Sequence, residues 1–569
     1  MGPLFGLFSI AAVADASIVK LYWTTTASTV PCEDKTLCGV QGPDGPWQAV
    51  LAHVGTPGNQ TRVALYPAVH YSSEILGAAG GGRYNPVGSG PGPGPGPANQ
   101  QHDLFGDGLQ DYDAASTFIP ATSRGEKFFD LLTLPALGGG PYPKANTTLS
   151  VASNWSVALH SGSSYTPKIG TLGLSPVVNK QAGNAHGAEL IHQLKAVGRI
   201  PSQSFGLHIG SAGLGQSGSL ILGGYEQNRA LGDVAVSNIN NNFARVFLVD
   251  LQLGIQVGGS PFLDASITKT QPKSVWQGPT GSAGEITKSF GGSRGSAIMT
   301  LNALSPSIYL PAGNCEAIAQ HLPVIWRGDL GYYGYFIWNE SDAQYERIVR
   351  SPGYLAFTFS DRSAKNVTIK LPFALLNLKL EPPIVETPMR YFPCASMGQN
   401  QTFWQLGRAF LQGAFLGLNF DSGVSFLAQA PGPDSEQSVA QEMGVNDESI
   451  QTNPISSFEK TWESHWTVLP EAGPRSEGGG RIAGIVLGSC VAVASVTASF
   501  LCWRRRGRSD DDGDDDNKHN GGDNDVVSDS EKTPTVYEVA GTEVPLELGV
   551  PSVVHELPLR QPRFSWEVT

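Results

Sequence analysis

VGTPGNQTRVALYPAVHYSS (Val54 to Ser73) and AIMTLNALSPSIYLP (Ala297 to Pro311) lie far apart in the chain, yet each reads as a strand, a tight turn and a further apolar run. Each is followed later by an apolar strand containing glycine. In the first case this is KIGTLGLSP (Lys168 to Pro176), and in the second it opens QLGRAFLQGAFLGLNFDSGVSFLAQA (Gln405 to Ala430). From Trp47 to about Ala430 short apolar, β-branched runs alternate with Gly, Pro, Asn and Ser clusters, and no long amphipathic helix is legible. A device used twice, in a segment too long for one core, predicts a mainly β body in two lobes.

Composition agrees. The chain of 569 residues has 69 Gly, 40 Pro and 15% charged residues, which describes a turn-rich chain. Its net charge is −13, and much of that sits near the C-terminus, where DDDGDDD runs from Asp510 to Asp516. The body lacks the basic clusters that nucleic-acid binding needs.

The two stretches resemble the catalytic loops of the pepsin-like aspartic peptidases, which fold as two β-lobes with one Asp-Thr/Ser-Gly loop each. Gly55-Thr56-Pro57 looks like the signature before the first loop, and KIGTLGLSP looks like the apolar-Gly strand that crosses behind it. SGSLILGGYEQNR (Ser217 to Arg229) is similar to the inter-lobe segment, and Gln405 to Ala430 resembles the closing strands. The resemblance covers roughly residues 46–430, with lobes at about 46–232 and 245–430, and is nearest to the fungal membrane-anchored members. It implies a bilobed pepsin-like β-barrel fold. It also places Cys315 and Cys394 where the second lobe commonly has its disulfide.

The family chemistry depends on two carboxylates about 3 Å apart that share a proton and hold a water between them. Counting from Gly55-Thr56-Pro57, the first expected Asp is Tyr66, followed by Pro67-Ala68. Counting back from Tyr309-Leu310-Pro311, the second is Asn302, followed by Ala303-Leu304. A phenol with an ordinary pKa of about 10 and an amide without a titratable proton cannot replace the pair. An active endopeptidase would need carboxylates from elsewhere, such as Asp103, Asp107 or Asp130 with Asp264.

Other motifs carry less. Asp421-Ser422-Gly423 matches the family triplet but reads as a hairpin turn. Gly291-Gly292-Ser293-Arg294-Gly295 fits G-x-S-x-G, but a strand follows it where a nucleophile elbow needs a helix. Gly213 to Gly218 fits G-x-G-x-x-G, but it joins two strand-like runs. His53, His70 and His160 lack a spaced nucleophile. No metal or cofactor motif is legible.

The remaining segments set the location. IAGIVLGSCVAVASVTASFLCW (482–503) is long and apolar enough to span a bilayer, and the Arg504 to Arg508 cluster after it predicts an internal C-terminus. Residues 1–16 read as a signal peptide. Glycosylation sequons begin at Asn59, Asn146, Asn154, Asn339, Asn366 and Asn400, all before the span. Four cysteines also precede it, so Cys32 and Cys38 join Cys315 and Cys394 as disulfide candidates in an oxidising compartment. Residues 431–481 read as a stalk and 504–569 as a disordered cytoplasmic tail that could engage an internal partner.

The expectation is therefore a membrane-anchored, glycosylated ectodomain at the cell surface. It is expected to be catalytically inactive and to bind or sense a peptide or cell-wall polymer. The alternative is an active membrane-tethered aspartic endopeptidase.

Overall fold

A computed structural model describes residues 18–24, 42–70, 73–85, 102–103, 121–137, 142–176, 189–240, 243–397, 403–435 and 439–471. Most ordered elements are strands, and the longest helix among the described residues, Gly281–Ser289, has nine residues. The fold class is mainly β.

The hairpin signal at Val54 to Ser73 resolves into the strands Val50–Val54 and Thr61–Ala68, paired antiparallel. Thr61–Ala68 then pairs in parallel with Gly170–Gly173. That crossing strand pairs antiparallel with Ser73–Leu76, which pairs in parallel with Lys144–Ala158. The same sequence of pairings recurs with other strands. Phe243–Ile255 pairs antiparallel with Ala297–Leu301, which pairs in parallel with Trp404–Leu406. That second crossing strand pairs antiparallel with Ile308–Pro311, which pairs in parallel with Cys394–Met397. One five-strand order thus occurs twice, and in each copy a short strand passes between the two arms of a strand-turn-strand unit.

Such a crossing brings backbone against backbone and leaves little room for side chains. A Cβ on Gly170 would lie 2.2 Å from the Glu74 carbonyl oxygen, and one on Gly407 would lie 2.2 Å from that of Ser305. The glycines that the sequence pattern singled out are therefore required by contact. Between the copies run the antiparallel strands Leu231–Asn240, Val424–Gln429, Ala414–Asn419, Ser204–His208, Ser219–Leu222 and Val19–Leu21, adjacent in that order. Apolar side chains from all these elements form one extensive core, with Trp23, Trp47, Trp404, Phe357 and Phe410 fully or almost fully buried. The Cys315–Cys394 disulfide ties the helix Asn314–Ala319 to the strand Cys394–Met397.

Residues 431–435 and 439–471 correct the expectation of a stalk there, because they pack on the body. Ala440–Glu442 adds to Gly224–Glu226 as an antiparallel strand, and Met443 is fully buried. Further on, the Asn453 amide donates to Ala230 O, Trp462 is buried, and the Gly259 amide donates to Leu469 O. A few anchoring side chains and many backbone hydrogen bonds do this work, so no hydrophobic period marks the segment. The rest of the expected stalk, 472–481, lies outside the described residues, as do 1–16, the Gly-Pro run at 88–97, 482–503 and 504–569. No helix among the described residues is long and apolar enough to cross a membrane.

Two outcomes follow from these contacts. Gly170→Ala and Gly407→Ala, forced against backbone oxygens, should each lower unfolding stability by at least about 2 kcal/mol in denaturant titration. Trp462→Ala should lower it by about 3–5 kcal/mol, where a free stalk would show no change.

Candidate functional site

In each copy the crossing strand fixes which residue stands at the tip of the turn. Leu406 pairs with Leu301, so the next residue on the tip strand is Asn302; Leu172 pairs with Pro67, so its counterpart is Ala68. Tyr66 lies two residues earlier, on the same side of its strand as Ala68. None of these residues is a carboxylate.

Asn302 is buried and locally bonded. Its Oδ1 accepts from the Leu304 amide at 3.1 Å, and its own amide donates to Leu406 O at 3.2 Å. Behind it, Ser305 Oγ donates to Gln405 Oε1. Arg408 stands just after the second crossing strand, at the head of the short helix Arg408–Leu411. Its Nη1 donates to Ala303 O at 3.1 Å and to Leu304 O at 2.7 Å, which ties down the second tip. Its guanidinium carbon lies 4.1 Å from the centre of the Tyr66 ring and 4.9 Å from that of Trp47, within cation–π range of both. One cation therefore touches both tips.

The counter-charge comes from upstream. Asp44 Oδ1 accepts from Trp47 Nε1 at 2.8 Å and lies 3.6 Å from Arg408 Nη2, with both charged groups buried. Tyr391 Oη donates to Asp44 O at 2.6 Å. The Lys379 and Glu381 amides donate to Gly45 O and Pro43 O, so the segment 43–45 is held against the strand Leu378–Leu380. Gly42, at φ 82°, lets the chain run close over the Tyr66 hydroxyl, where a Cβ would come within 2.8 Å. Among the described residues neither Tyr66 Oη nor Arg408 Nε has a hydrogen-bond partner.

Burial holds the phenols of Tyr66, Tyr165, Tyr309, Tyr335 and Tyr391 protonated well above their usual range, and the Asp44 carboxylate pushes all five the same way. Tyr309 continues outward through edge contacts to Tyr333, ring centres 6.3 Å apart, and then to Tyr332 at 4.7 Å from Tyr333. Tyr333 is pushed up to about 12, first by burial and then by Tyr332. The site thus contains a cation, one paired carboxylate, an amide and several neutral phenols. It can donate hydrogen bonds and present ring faces, but it cannot share a proton between two acids.

Among the described residues the other carboxylates supply no pair here. Asp130 is buried and accepts from Tyr84 Oη. Asp264 is partly exposed and bonded to Lys273 at 2.7 Å and to Ser266. Asp103 lies on the strand His102–Asp103 beside Arg124, and Asp107 is outside the described residues. Asp421 sits at the turn of the hairpin Ala414–Asn419/Val424–Gln429, accepting from Lys195 Nζ and the Gln203 amide at 2.7 Å each. Residues 291–295 link the helix Gly281–Ser289 to the strand Ala297–Leu301, and 213–218 join Ser204–His208 to Ser219–Leu222. His53 is half-buried and accepts from Arg62 Nε at 3.4 Å, His70 is half-buried beyond the first tip strand, and His160 is exposed. Of the sequons, Asn59, Asn146, Asn154 and Asn366 are exposed and Asn339 is half-buried; Asn400, Cys32 and Cys38 lie outside the described residues. Among the described residues no group of His, Cys, Asp and Glu could hold a metal ion.

A second polar group, beneath the central strands, was not singled out from sequence. His208 is fully buried, and its Nε2 donates to Gln412 O at 2.9 Å while Arg229 Nη1 faces its Nδ1 at 3.4 Å, so the imidazole is neutral. Burial, reinforced by Arg229, pushes its pKa down to about 3. Glu226 accepts from Ser219 Oγ at 2.6 Å and pairs with Lys20 and Arg229. Burial alone would raise its pKa, but these cations and the hydroxyl lower it to about 2.

Comparison of the chain with protein-family models and with curated proteins found no match.

The polar group predicts acid sensitivity. An unfolded histidine takes a proton near pH 6.5, but His208 resists until about 3, so stability should fall as pH drops from about 6.5, by roughly 1.4 kcal/mol per unit. Glu226, with its unfolded value near 4.5, adds to the loss between about 4.5 and 2. Thermal unfolding at stepped pH should show this slope. His208→Gln should be less stable at pH 7 yet nearly flat between about pH 6.5 and 5, because it removes the titrating group.

Proposed function

We propose that this chain is a membrane-anchored ectodomain of pepsin-like, two-lobed architecture that has lost peptide hydrolysis and serves in binding or sensing a peptide or a cell-wall polymer. The observation that carries the reading is the repeated five-strand order whose tips hold Ala68, with Tyr66 behind it, and Asn302 around the Arg408 guanidinium. The order supports the kinship that Gly55-Thr56-Pro57 and the apolar-Gly strands imply. The residues at the tips argue against the activity.

A groove that holds an extended peptide needs hydrogen-bond donors, apolar faces and shape, all of which survive the loss of an acid pair. The aromatic series Tyr309, Tyr333 and Tyr332 runs from the buried site to the surface and offers faces on which a peptide or sugar could lie. Residues 1–16 and 482–503 supply secretion and anchoring in this reading, and 504–569 supply a cytoplasmic segment for an internal partner.

Purified full-length protein should cleave no member of a broad peptide library between about pH 3 and 6, the range in which a proton-sharing carboxylate pair works. Asn302→Asp should stay inactive, since Asp44, the carboxylate already beside Arg408, is engaged by that cation and by Trp47 Nε1 and forms no proton-sharing pair. Saturable retention on immobilised peptides or cell-wall glucan should weaken about tenfold in Tyr333→Ala, the ~1.4 kcal/mol expected of one aromatic contact. Cleavage abolished by Asp44→Asn would instead establish the active endopeptidase.

A further inference from the structure

We propose that the outer edge of the strand Val324–Arg327 docks an extended, uncharged peptide as an added β-strand. This inference rests on the binding reading above and names the ligand class. The strand ends a four-stranded antiparallel sheet, followed in order by Tyr335–Trp338, Met389–Phe392 and Leu378–Leu380. The far edge already carries such an addition, because the Lys379 and Glu381 amides donate to Gly45 O and Pro43 O of an extended stretch. Among the described residues no strand covers the near edge. The Asn339 amide donates to Pro323 O at 2.8 Å, so 323 and 339 form a hydrogen-bonded pair, and by alternation so do 325 with 337 and 327 with 335. The backbone groups of Val324 and Trp326 therefore point away from the sheet. Leu322 O satisfies the Val324 amide, which leaves Val324 O, Trp326 N–H and Trp326 O along the edge. A sugar hydroxyl can meet one of these groups, whereas an extended backbone meets all three.

The side chains fit the same occupant. Ile325 is 56% exposed and shares a face with Tyr335, whose ring centre lies 5.1 Å from that of Tyr391 in the candidate site. Trp326 is 47% exposed on the opposite face, its ring 4.8 Å from Phe336 and packed so close to Gly334 that a Cβ there would clash. One apolar group thus stands on each side of an added strand. Sheet edges are ordinarily guarded by free charge, proline or a bulge. The one charge on this strand, Arg327, is held in a fork, its Nε and Nη2 donating to Asp329 Oδ1 and Oδ2 at 2.7 and 2.6 Å. The edge therefore neither repels a neutral chain nor attracts a charged one. A four-residue edge alone buries far less than the ~1,200 Å² of a stable dimer, which favours a short peptide over a second copy.

The test presents the full chain with immobilised uncharged octapeptides in which threonine alternates with β-branched or aromatic residues, and with cell-wall glucan. The tightest peptide is then remade with N-methyl groups on alternate residues, in each of the two phases. The phase that faces the protein should lose binding at least about tenfold, and the other should stay within about twofold. Trp326→Pro and Trp326→Ala both lose the ring, but only the first loses the outward N–H, so it should bind at least about tenfold more weakly. Matching thermal unfolding of these two variants checks the fold, and the N-methyl comparison needs no variant. Ile325→Lys restores a guarding charge and should also lose the peptide. Equal binding of both N-methyl phases, or retention of glucan but of no peptide, overturns this inference and leaves the binding reading standing. A dimer abolished by Ile325→Lys gives the edge to a second copy and overturns it too. Retention of neither peptide nor glucan overturns both.

Discussion

The guanidinium of Arg408 is buried where the two copies of the strand order come together. Removing such a charge from water costs several kcal/mol unless it is matched. Here the matching comes from three directions. The Ala303 and Leu304 carbonyls take one edge, the Tyr66 and Trp47 rings take the faces, and Asp44 supplies the opposite charge. These partners belong to one tip, to the other tip, and to the segment that precedes both. The conformation of the upstream segment is thereby bound to the charge: without Asp44 the cation would be buried unneutralised.

That constraint bears directly on chemistry. A proton-sharing pair of acids exists because two carboxylates repel and neither is locked in its ionised form. A fixed cation beside either tip favours the ionised carboxylate and removes the reason to share. The chain has placed an amide, an alanine and a buried phenol at the tips, residues that tolerate such a cation without a change of protonation. What is left is a surface of donors and rings suited to holding a ligand in place. The proposed binding role follows from these electrostatics more than from any single residue.

The parts of the fold legible in the sequence are those dictated by backbone contact. Gly407 and Gly170 are needed where the chain passes close to carbonyl oxygens, whatever residues stand at the tips. The tip residues were harder to place. Counting from Gly55-Thr56-Pro57 leads to Tyr66, whereas the pairing of Leu172 with Pro67 sets Ala68 level with Asn302, and only a ladder between distant strands fixes that register. Arg408, Asp44, Tyr165, Tyr309 and Tyr391 converge from widely separated positions, and no spacing announces them. One trace was present: Arg408 is a lone charge in the apolar run QLGRAFLQ, immediately after the crossing strand. Residues 431–471 looked like a stalk because backbone hydrogen bonds, which leave no compositional mark, do most of the fastening.

The polar group beneath the central strands bears on the same question from a separate place. The short helix headed by Arg408 is followed by Gln412, whose carbonyl accepts from the neutral imidazole of His208. Protonating that imidazole would set a second positive charge against Arg229 in a fully buried site. A scaffold built for acid-range catalysis must keep its fold where such a group would be driven to ionise. This one ties the helix that positions its central cation to a histidine that must stay uncharged. Tips without an acid pair and a core that favours neutral pH are separate features, and both fit the proposed binding role.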